Sequence, residues 1–537
     1  MTSLFDGQKM SPKESIGAVQ SCVCFVIALI CVGIVGCKGR VVEPGSVVMI
    51  IESSPNNLDL RVGTDAQSER VGGQIFDALV KKDEHYELQP WLATSWEQPD
   101  ALTWVFHLRD GVRFHDGRPL EAEDVAYTIR SMIDGSLVTA KGGSFAAVDH
   151  AEARERLTVV VKMKRPDAGL LFNMSDGLFG VVPRGSGKDF GLHPVGSGPF
   201  KFVSAVQDKE VVVERNHDYW ADRVAGLAPT VAGAQRIERI RFEVVPDTIT
   251  SALELKKGSA DLASNVVTLD MVHTLEAEPN LKVESGPGSP VVYVTFNVTY
   301  PLLKDKRVRQ AVACAIDRQA IVDAIWRGQA RLANTLLPTG HWAAATDAEL
   351  AQYPHDVGRA QRLLEEAGFP VGRDGVRMRL TLKTSTDETT RLMAAVLQQQ
   401  LRAAGIALEI RSAEFGTFYA DVTKGAFQIY ALRWIGSNED PDIFRYAYGS
   451  GSFPPKGGNR GRYSNPRVDV LLAEAAASSD RAVRTKDYVE VQKILSDDLP
   501  GIPLWYPNNE VVHTQRVVNV RPRASGNFDF LREAEIR

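Results

Sequence analysis

The texture of the sequence changes twice along its length, and that double change limits the fold more than any single motif does. From about residue 41 to 290 the chain reads as short strands with few helices. In Thr103–Leu108 the residues Trp104, Phe106 and Leu108 alternate with the other face, and Ile240, Phe242 and Val244 alternate with Arg241 and Glu243. That period of two marks a half-buried strand. Residues 157–163 and 211–213 read as further strands. From about 300 onward helices alternate with strands. Val308, Ala311, Val312, Ala315 and Ile316 lie on one helical face, and that helix is expected to run on to Gly328. Asp356 caps a second helix, with Ala360, Leu363, Leu364 and Ala367 inward and Gly368 as its stop. A third covers 388–404, stopped by Gly405, followed by a strand at 406–410, a short helix, and a strand at 427–434. Strand–helix–strand order at this spacing predicts a parallel α/β sheet. The first change falls at 286–290; after the second, at 499–503, residues 510–520 are strand-like again. Similar texture on both outer sides predicts that the C-terminus returns to the first lobe, so that two strands form a hinge.

The N-terminus reads as an address. Lys9 and Lys13 precede an uncharged run over 15–36, most apolar over 22–35, a basic region and a hydrophobic region of signal-peptide length. The run ends Ile34-Val35-Gly36-Cys37 and resembles a bacterial lipoprotein signal, in which a small residue before the cysteine allows cleavage. In that reading Cys37 becomes the first mature residue and carries acyl chains that hold the protein on a membrane. The alternative is an uncleaved membrane anchor. Both place the remainder outside the cytoplasm, in the periplasm or at the cell surface, and both exclude 1–36 from the fold. Cys22, Cys24, Cys31 and Cys37 are four of the five cysteines; only Cys314 follows. The mature chain therefore has no intramolecular disulfide beyond Cys37 and no cysteine metal site. Cys314, inside a helical pattern, reads as a small buried apolar residue.

Composition excludes one class of partner. Lys plus Arg is 62 and Asp plus Glu is 67, for a formal charge of −5. Such a chain lacks the basic footprint of a nucleic-acid binder. Local catalytic motifs fail on inspection. Gly185-Ser-Gly-Lys-Asp189 resembles a phosphate loop, but Val182 stands where its first glycine belongs and Asp189 where a Ser or Thr should reach Mg²⁺. Residues 286–291 lack the third glycine of a dinucleotide fingerprint. Gly196-Ser197-Gly198 has the wrong spacing for a nucleophile elbow. His115 and Asp116 are adjacent in a turn and point apart, and the ten histidines are scattered singly. No catalytic residue, cofactor or metal ligand is expected.

Several stretches in order are similar to the extracytoplasmic solute-binding proteins of ABC importers, in the peptide/nickel-binding family. They are Phe106-His-Leu-Arg-Asp-Gly-Val-Arg-Phe-His-Asp-Gly117, Ala122-Glu-Asp-Val-Ala-Tyr127, Val195-Gly-Ser-Gly-Pro-Phe200 and Glu214-Arg-Asn-His-Asp-Tyr-Trp220. They continue with Asp305-Lys-Arg-Val-Arg-Gln-Ala311, Ala315-Ile-Asp317, Leu363-Leu-Glu-Glu-Ala-Gly368, and Trp434-Ile-Gly436 with Asp440-Pro-Asp442. Each is weak alone; the ordered set covers almost the whole mature chain.

The resemblance implies a two-lobed α/β fold of periplasmic-binding-protein (Venus-flytrap) type with an extra α+β subdomain in lobe one. The expected division is 37–82 for the first part of lobe one and 83–189 for the extra subdomain. Lobe one resumes over 190–288, lobe two spans 289–504, and 505–537 returns to lobe one. It also implies a non-enzymatic, monomeric receptor that captures a peptide, or another small solute, and hands it to an ABC permease and ATPase complex. In dipeptide-binding members an Asp after Trp-x-Gly pairs with the ligand's ammonium; here Ser437 stands there, and a hydroxyl cannot supply that charge. The arginine for the ligand carboxylate is replaced near Lys383, a point charge without the bidentate fork. A longer or modified peptide is therefore expected over a free dipeptide. The loop after the last parallel strand occupies the usual ligand position of α/β sheets, which nominates Trp434, Ser437, Asn438, Glu439 and Asp440, with Lys383 beside them. Asn56, Asn57, Asp65 and Ser68 are nominated in lobe one. Residues 452–462, with Lys456, Arg460 and Arg462, are expected to form a solvated loop. The alternatives are another solute on the same fold (a nickel chelate, an oligosaccharide, an opine-like conjugate) or a sensory ectodomain.

Overall fold

One strand, Gly501–Thr514, belongs to both halves of the protein. The computed structural model describes residues 44–224, 235–434 and 439–537; the leader and Cys37 lie outside them. The start of that strand pairs antiparallel with Val291–Phe296, from Thr295 opposite Gly501 to Val292 opposite Trp505. Its end pairs with Leu262–Ser264 and with Leu281–Pro287, from Pro287 opposite Asn508 to Leu281 opposite Thr514. The chain thus passes between lobes twice, once through residues 288–290 and once along this strand. Two crossings side by side restrain sliding while leaving a bending axis.

In lobe two, Met378–Ser385 runs parallel to Ile406–Ala413 along its whole length, from Met378 opposite Ile406 to Ser385 opposite Ala413, and parallel to Ile429–Trp434. Ile429–Trp434 in turn pairs antiparallel with Val291–Phe296. The helices Lys306–Ala315, Val357–Glu366 and Glu388–Ala403 bring Val312, Leu364 and Leu397 against Phe296, Leu380, Ile406 and Trp505. The opposite side of the sheet buries Tyr293, Phe418, Tyr430, Phe444, Tyr488 and Tyr506. In lobe one Ser46–Ile51 lies parallel to Leu262–Ser264. The extra subdomain is a four-stranded antiparallel sheet in the order Ala93–Asp100, Thr103–Leu108, Thr158–Met163, Val148–Glu155. The helix Ala122–Ile133 covers it, and Trp104, Phe106, Val125, Ile129 and Val161 share its core. The two-lobed α/β architecture with an extra subdomain in lobe one, and the parallel pairing in lobe two, are as expected from the sequence.

Asp356 caps its helix by accepting from Arg359 N at 2.8 Å, and Gly368 at φ 89° ends the segment. The helix through Val308 is shorter than expected. It stops at Ala315 because Asp317 accepts from Ala320 N at 2.9 Å and so caps a separate short helix, Arg318–Ile321. The pieces that looked like catalytic motifs hold the fold instead. Ser186 O accepts from the buried Arg61 Nη2 at 3.1 Å and from Tyr127 OH at 2.6 Å. His115 accepts from Gly196 N at Nδ1 and donates from Nε2 to Gly198 O at 3.0 Å. Burial lowers its pKa to about 4, which keeps the ring neutral in that bridge. Cys314 is fully buried.

Candidate functional site

The parallel strand Ile429–Trp434 aims its C-terminal end at lobe one. Trp434 is buried there, its ring stacked on Tyr293 at 5.6 Å and met edge-on by Tyr446 at 6.0 Å. The Arg460 guanidinium lies 5.0 Å from the Trp434 ring centre and 5.2 Å from that of Tyr419, and donates to Tyr419 Oη at 2.9 Å. The expectation of a solvated loop over 452–462 is met at Pro455 and Lys456, which are exposed, and is corrected for 458–461, which are buried, with Arg460 only 7% exposed. The cause is the pair of glycines that flank it. A Cβ on Gly458 would lie 2.4 Å from the Tyr446 ring, and one on Gly461 would lie 2.6 Å from Phe296 O. The loop can lie flat on the aromatic layer, and the arginine then finds π faces in place of water.

Ser437 and Asn438 fall outside the described residues. Glu439, immediately after them, is 3% exposed and joins the lobes. Its Oε2 accepts from Lys82 Nζ at 2.8 Å, Lys82 being the last residue of the lobe-one strand Val80–Lys82. Its Oε1 accepts from Ser289 Oγ at 2.8 Å, between the crossing strands, and its carbonyl lies 3.1 Å from His341 Nε2. Burial opposes the Lys82 ammonium, but Glu439 and Asp176 outweigh it and raise its pKa. Further contacts close the same seam: Tyr86 stacks on His341 at 5.4 Å, Ala168 N donates to Ala476 O at 3.1 Å, and Arg481 pairs with Glu87 at 2.7 Å. Lys82 is the residue that sequence reasoning missed. Nothing in Val80-Lys-Lys-Asp83 sets it apart from Lys81, which instead covers Trp91 at 4.2 Å.

Asp440 lies beside Glu439 and accepts from Asp442 N at 2.9 Å. Burial pushes its pKa up to about 6, against the pull of Arg484 and with the help of Asp442. Trp434 thus precedes, and Glu439 and Asp440 follow, the four residues 435–438 that lie outside the described residues. Lys383, on the neighbouring parallel strand opposite Tyr430, pairs with Asp421 at 2.5 Å within lobe two. In lobe one Asp65 caps the helix Ala66–Ile75, accepting from Ser68 N at 2.9 Å and from Ser68 Oγ, and its second oxygen also accepts from Asn56 N at 3.2 Å. Asn57 N donates to Ser68 Oγ at 3.1 Å. These four residues form one hydrogen-bonded loop, which engages the carboxylate of Asp65 internally.

Other charges stand at the opening. The guanidiniums of Arg70, on that helix, and Arg433, beside Trp434, have no ion-pair or hydrogen-bond partner among the described residues. Burial lowers the pKa of each; Arg433 lowers that of Arg70 further, while Glu52 raises both. One arginine from each lobe therefore lies within electrostatic reach of the other. Among the described residues no group of three His, Cys, Asp or Glu side chains is placed to hold a metal ion.

Comparison with known proteins fits this architecture. A model described as bacterial extracellular solute-binding proteins, family 5 Middle, matches residues 87–454. The chain is 29% identical over 472 residues to a probable di/tripeptide-binding protein 5 of Pseudomonas aeruginosa, covering 83% of this chain and 86% of that one. It is 27% identical over 496 residues to the oligopeptide-binding protein AppA of Bacillus subtilis, covering 88% of each. Its fold matches that of the ABC transporter substrate-binding protein CtaP of Listeria monocytogenes with a TM-score of 0.79 at 23% identity, over 91% of this chain and 99% of that one.

Proposed function

This chain belongs to the bacterial extracellular solute-binding proteins of family 5, and we propose that it is the receptor of an ABC importer, capturing a peptide between its lobes and delivering it to a membrane permease. The observation that carries the reading is the seam itself. Glu439, which follows the parallel strand Ile429–Trp434 in the sequence, meets Lys82 of lobe one and Ser289 beside the two crossing strands. A ligand that touches both lobes favours the joined form by the contacts it makes only there. Moving such an equilibrium from 1:99 to 99:1 takes about 5.5 kcal/mol of differential affinity. The names of the relatives support a peptide as that ligand. The protein needs no chemistry for this role, acts as a monomer outside the cytoplasm, and is held to the membrane by lipid on Cys37.

The proposed contacts are Trp434, Ser437, Asn438, Glu439, Asp440 and Lys383 from lobe two and Asn56 and Asp65 from lobe one, joined by Arg70 and Arg433 for an anionic end. Glu439 already holds a protein ammonium, Lys82. A ligand's own ammonium would have to displace it there, which favours a peptide held through its backbone over one held by its N-terminus.

The test is mass spectrometry of whatever co-purifies with the chain beginning after Cys37, native against denatured, followed by stripping and rechallenge. A heterogeneous set of short peptides that restores the bound mass is the expected result. A single non-peptide species, or a metal complex, would overturn the peptide assignment.

A further inference from the structure

Away from the seam, one buried charge of lobe two has no counter-charge. Arg460 is 7% exposed, and a guanidinium so deeply buried is normally paired. Its side chain donates only to phenol oxygens, to Tyr419 Oη at 2.9 Å and more loosely to Tyr293 Oη at 3.5 Å. It makes no ion pair among the described residues. The groups that act most strongly on its charge are Tyr293, Tyr430 and Tyr419, with no carboxylate among them. The segment 435–438, which follows Trp434, contains no acid either. The rings of Trp434 and Tyr419 attract the cation through their quadrupoles but carry no net charge.

The surroundings supply further donors. In the antiparallel pair of Val291–Phe296 and Ile429–Trp434, Thr295 stands opposite Tyr430, so Tyr293, Thr295 and Tyr430 project from one face of the sheet. With Tyr448 and Arg460 they line a space of about 280 Å³, part of it open to solvent. The hydroxyls of Thr295, Tyr430 and Tyr448 have no partner among the described residues, yet each keeps accessible surface, unlike the enclosed Trp505 Nε1. The phenols lie close enough to act on one another. Burial holds Tyr293 and Tyr448 above the ordinary phenol range, Tyr430 adds to both, and Arg460 opposes at Tyr293. They therefore stay protonated and donate.

This chemistry selects the occupant. A cation would be repelled by Arg460. The room between the side chains takes about one water-sized particle, which leaves out carboxylates and sulfate. Water fits but brings no charge. A halide fits and accepts from hydroxyls and guanidinium together, in bonds strengthened by its charge.

We propose that this space is a chloride site, the ion accepting from Arg460 and from the hydroxyls of Tyr430 and Tyr448 and so neutralising the buried guanidinium. The site lies within lobe two beside Trp434 and is independent of what the lobes capture between them.

The test compares the ligand-stripped mature chain in chloride and in gluconate at one ionic strength. As chloride replaces gluconate, the melting temperature should climb with the logarithm of chloride concentration, as binding to the folded state requires. Bromide should act likewise, and a crystal grown in bromide should show an anomalous peak beside Arg460. In Tyr448→Phe the chloride concentration needed should rise about tenfold, the loss of one hydrogen bond to a charged group. In Arg460→Gln the dependence should vanish. Circular dichroism checks that each variant is folded, and Tyr448→Phe with the bromide crystal decides if Arg460→Gln is not. Equal melting in chloride and gluconate, or no anomalous peak beside Arg460, overturns the site and leaves water as its occupant. A chloride effect of full size in folded Arg460→Gln places the ion elsewhere and overturns it as well.

Discussion

The carboxylate of Asp77 accepts from four side chains: Trp91 Nε1 at 2.8 Å, Tyr219 Oη at 2.9 Å, Trp220 Nε1 at 2.9 Å and Ser197 Oγ at 3.0 Å. All of these groups are buried. The donors come from three distant stretches, so one acid ties lobe one to the turn at 196–198 and to the 219–220 corner. Asp77→Ala would leave four buried donors without an acceptor. The expected cost is about 3–5 kcal/mol, read as a lower denaturant midpoint at unchanged slope. A loss under about 1 kcal/mol would show that water replaces the carboxylate. Three of the partners, Ser197, Tyr219 and Trp220, lie in stretches that carry the family resemblance, Val195–Phe200 and Glu214–Trp220, yet the sequence names neither their acceptor nor the reason for the glycines. That reason is steric: a Cβ on Gly196 would lie 1.9 Å from Ile75 O. Asp77 itself was not legible, because a lone Asp after a helix looks like any polar loop residue until its donors are placed around it.

At the scale of elements, the strand Val80–Lys82 and the loop entering Asp440 meet through Lys82 and Glu439. A buried pair of this kind contributes little net when both members are replaced and costs much when one is. Lys82→Met should leave Glu439 buried against Ser289 alone, and the lobes should separate to hydrate it. Small-angle scattering would then report a larger radius of gyration. Lys82→Met with Glu439→Gln should recover most of the change, and the cycle should give a coupling of about 2–3 kcal/mol. Additive single effects would mean that the pair is incidental to holding the lobes together. Secondary structure here was largely legible: the sequence pattern found the parallel strands Ile406–Ala413 and Ile429–Trp434 and the caps at Asp356 and Gly368, but not Met378–Ser385, which lies between those two strands in the sheet. The contact between elements was not, since Lys82 and Glu439 are 357 residues apart and no local pattern relates them. Arg460 shows the same limit. Its Gly- and Pro-rich surroundings read as solvated loop, and only the aromatic layer under it explains its burial.

For the whole molecule the crossing strands decide how the two lobes move, and an acid is buried between them. Glu510 on Gly501–Thr514 faces Ser285 on Leu281–Pro287; Ser285 Oγ donates to its Oε1 at 2.9 Å, while Oε2 is buried with no partner among the described residues. Burial is the main cause that pushes its pKa up to about 7 from an ordinary 4.5, with Ser285 opposing, Glu276 adding and His273 opposing. A raised acid binds its proton more tightly folded than unfolded. Its contribution to stability is therefore fully present below about pH 4.5 and is lost as pH rises through about 7. Asp440, at about 6, acts in the same sense at the seam. Glu510→Gln keeps the hydrogen bond from Ser285 and removes the titration. Its melting temperature should match the unmodified protein at about pH 5 and exceed it by about 2 °C at about pH 8, where ionised Glu510 is least welcome. A difference that stays constant across this range would mean that water reaches the carboxylate between the strands. Because the same two strands bend when the lobes part, peptide affinity measured beside melting temperature separates the consequences. An effect on stability alone places the strain in the folded chain as a whole, whereas a parallel change in affinity places it in the angle between the lobes.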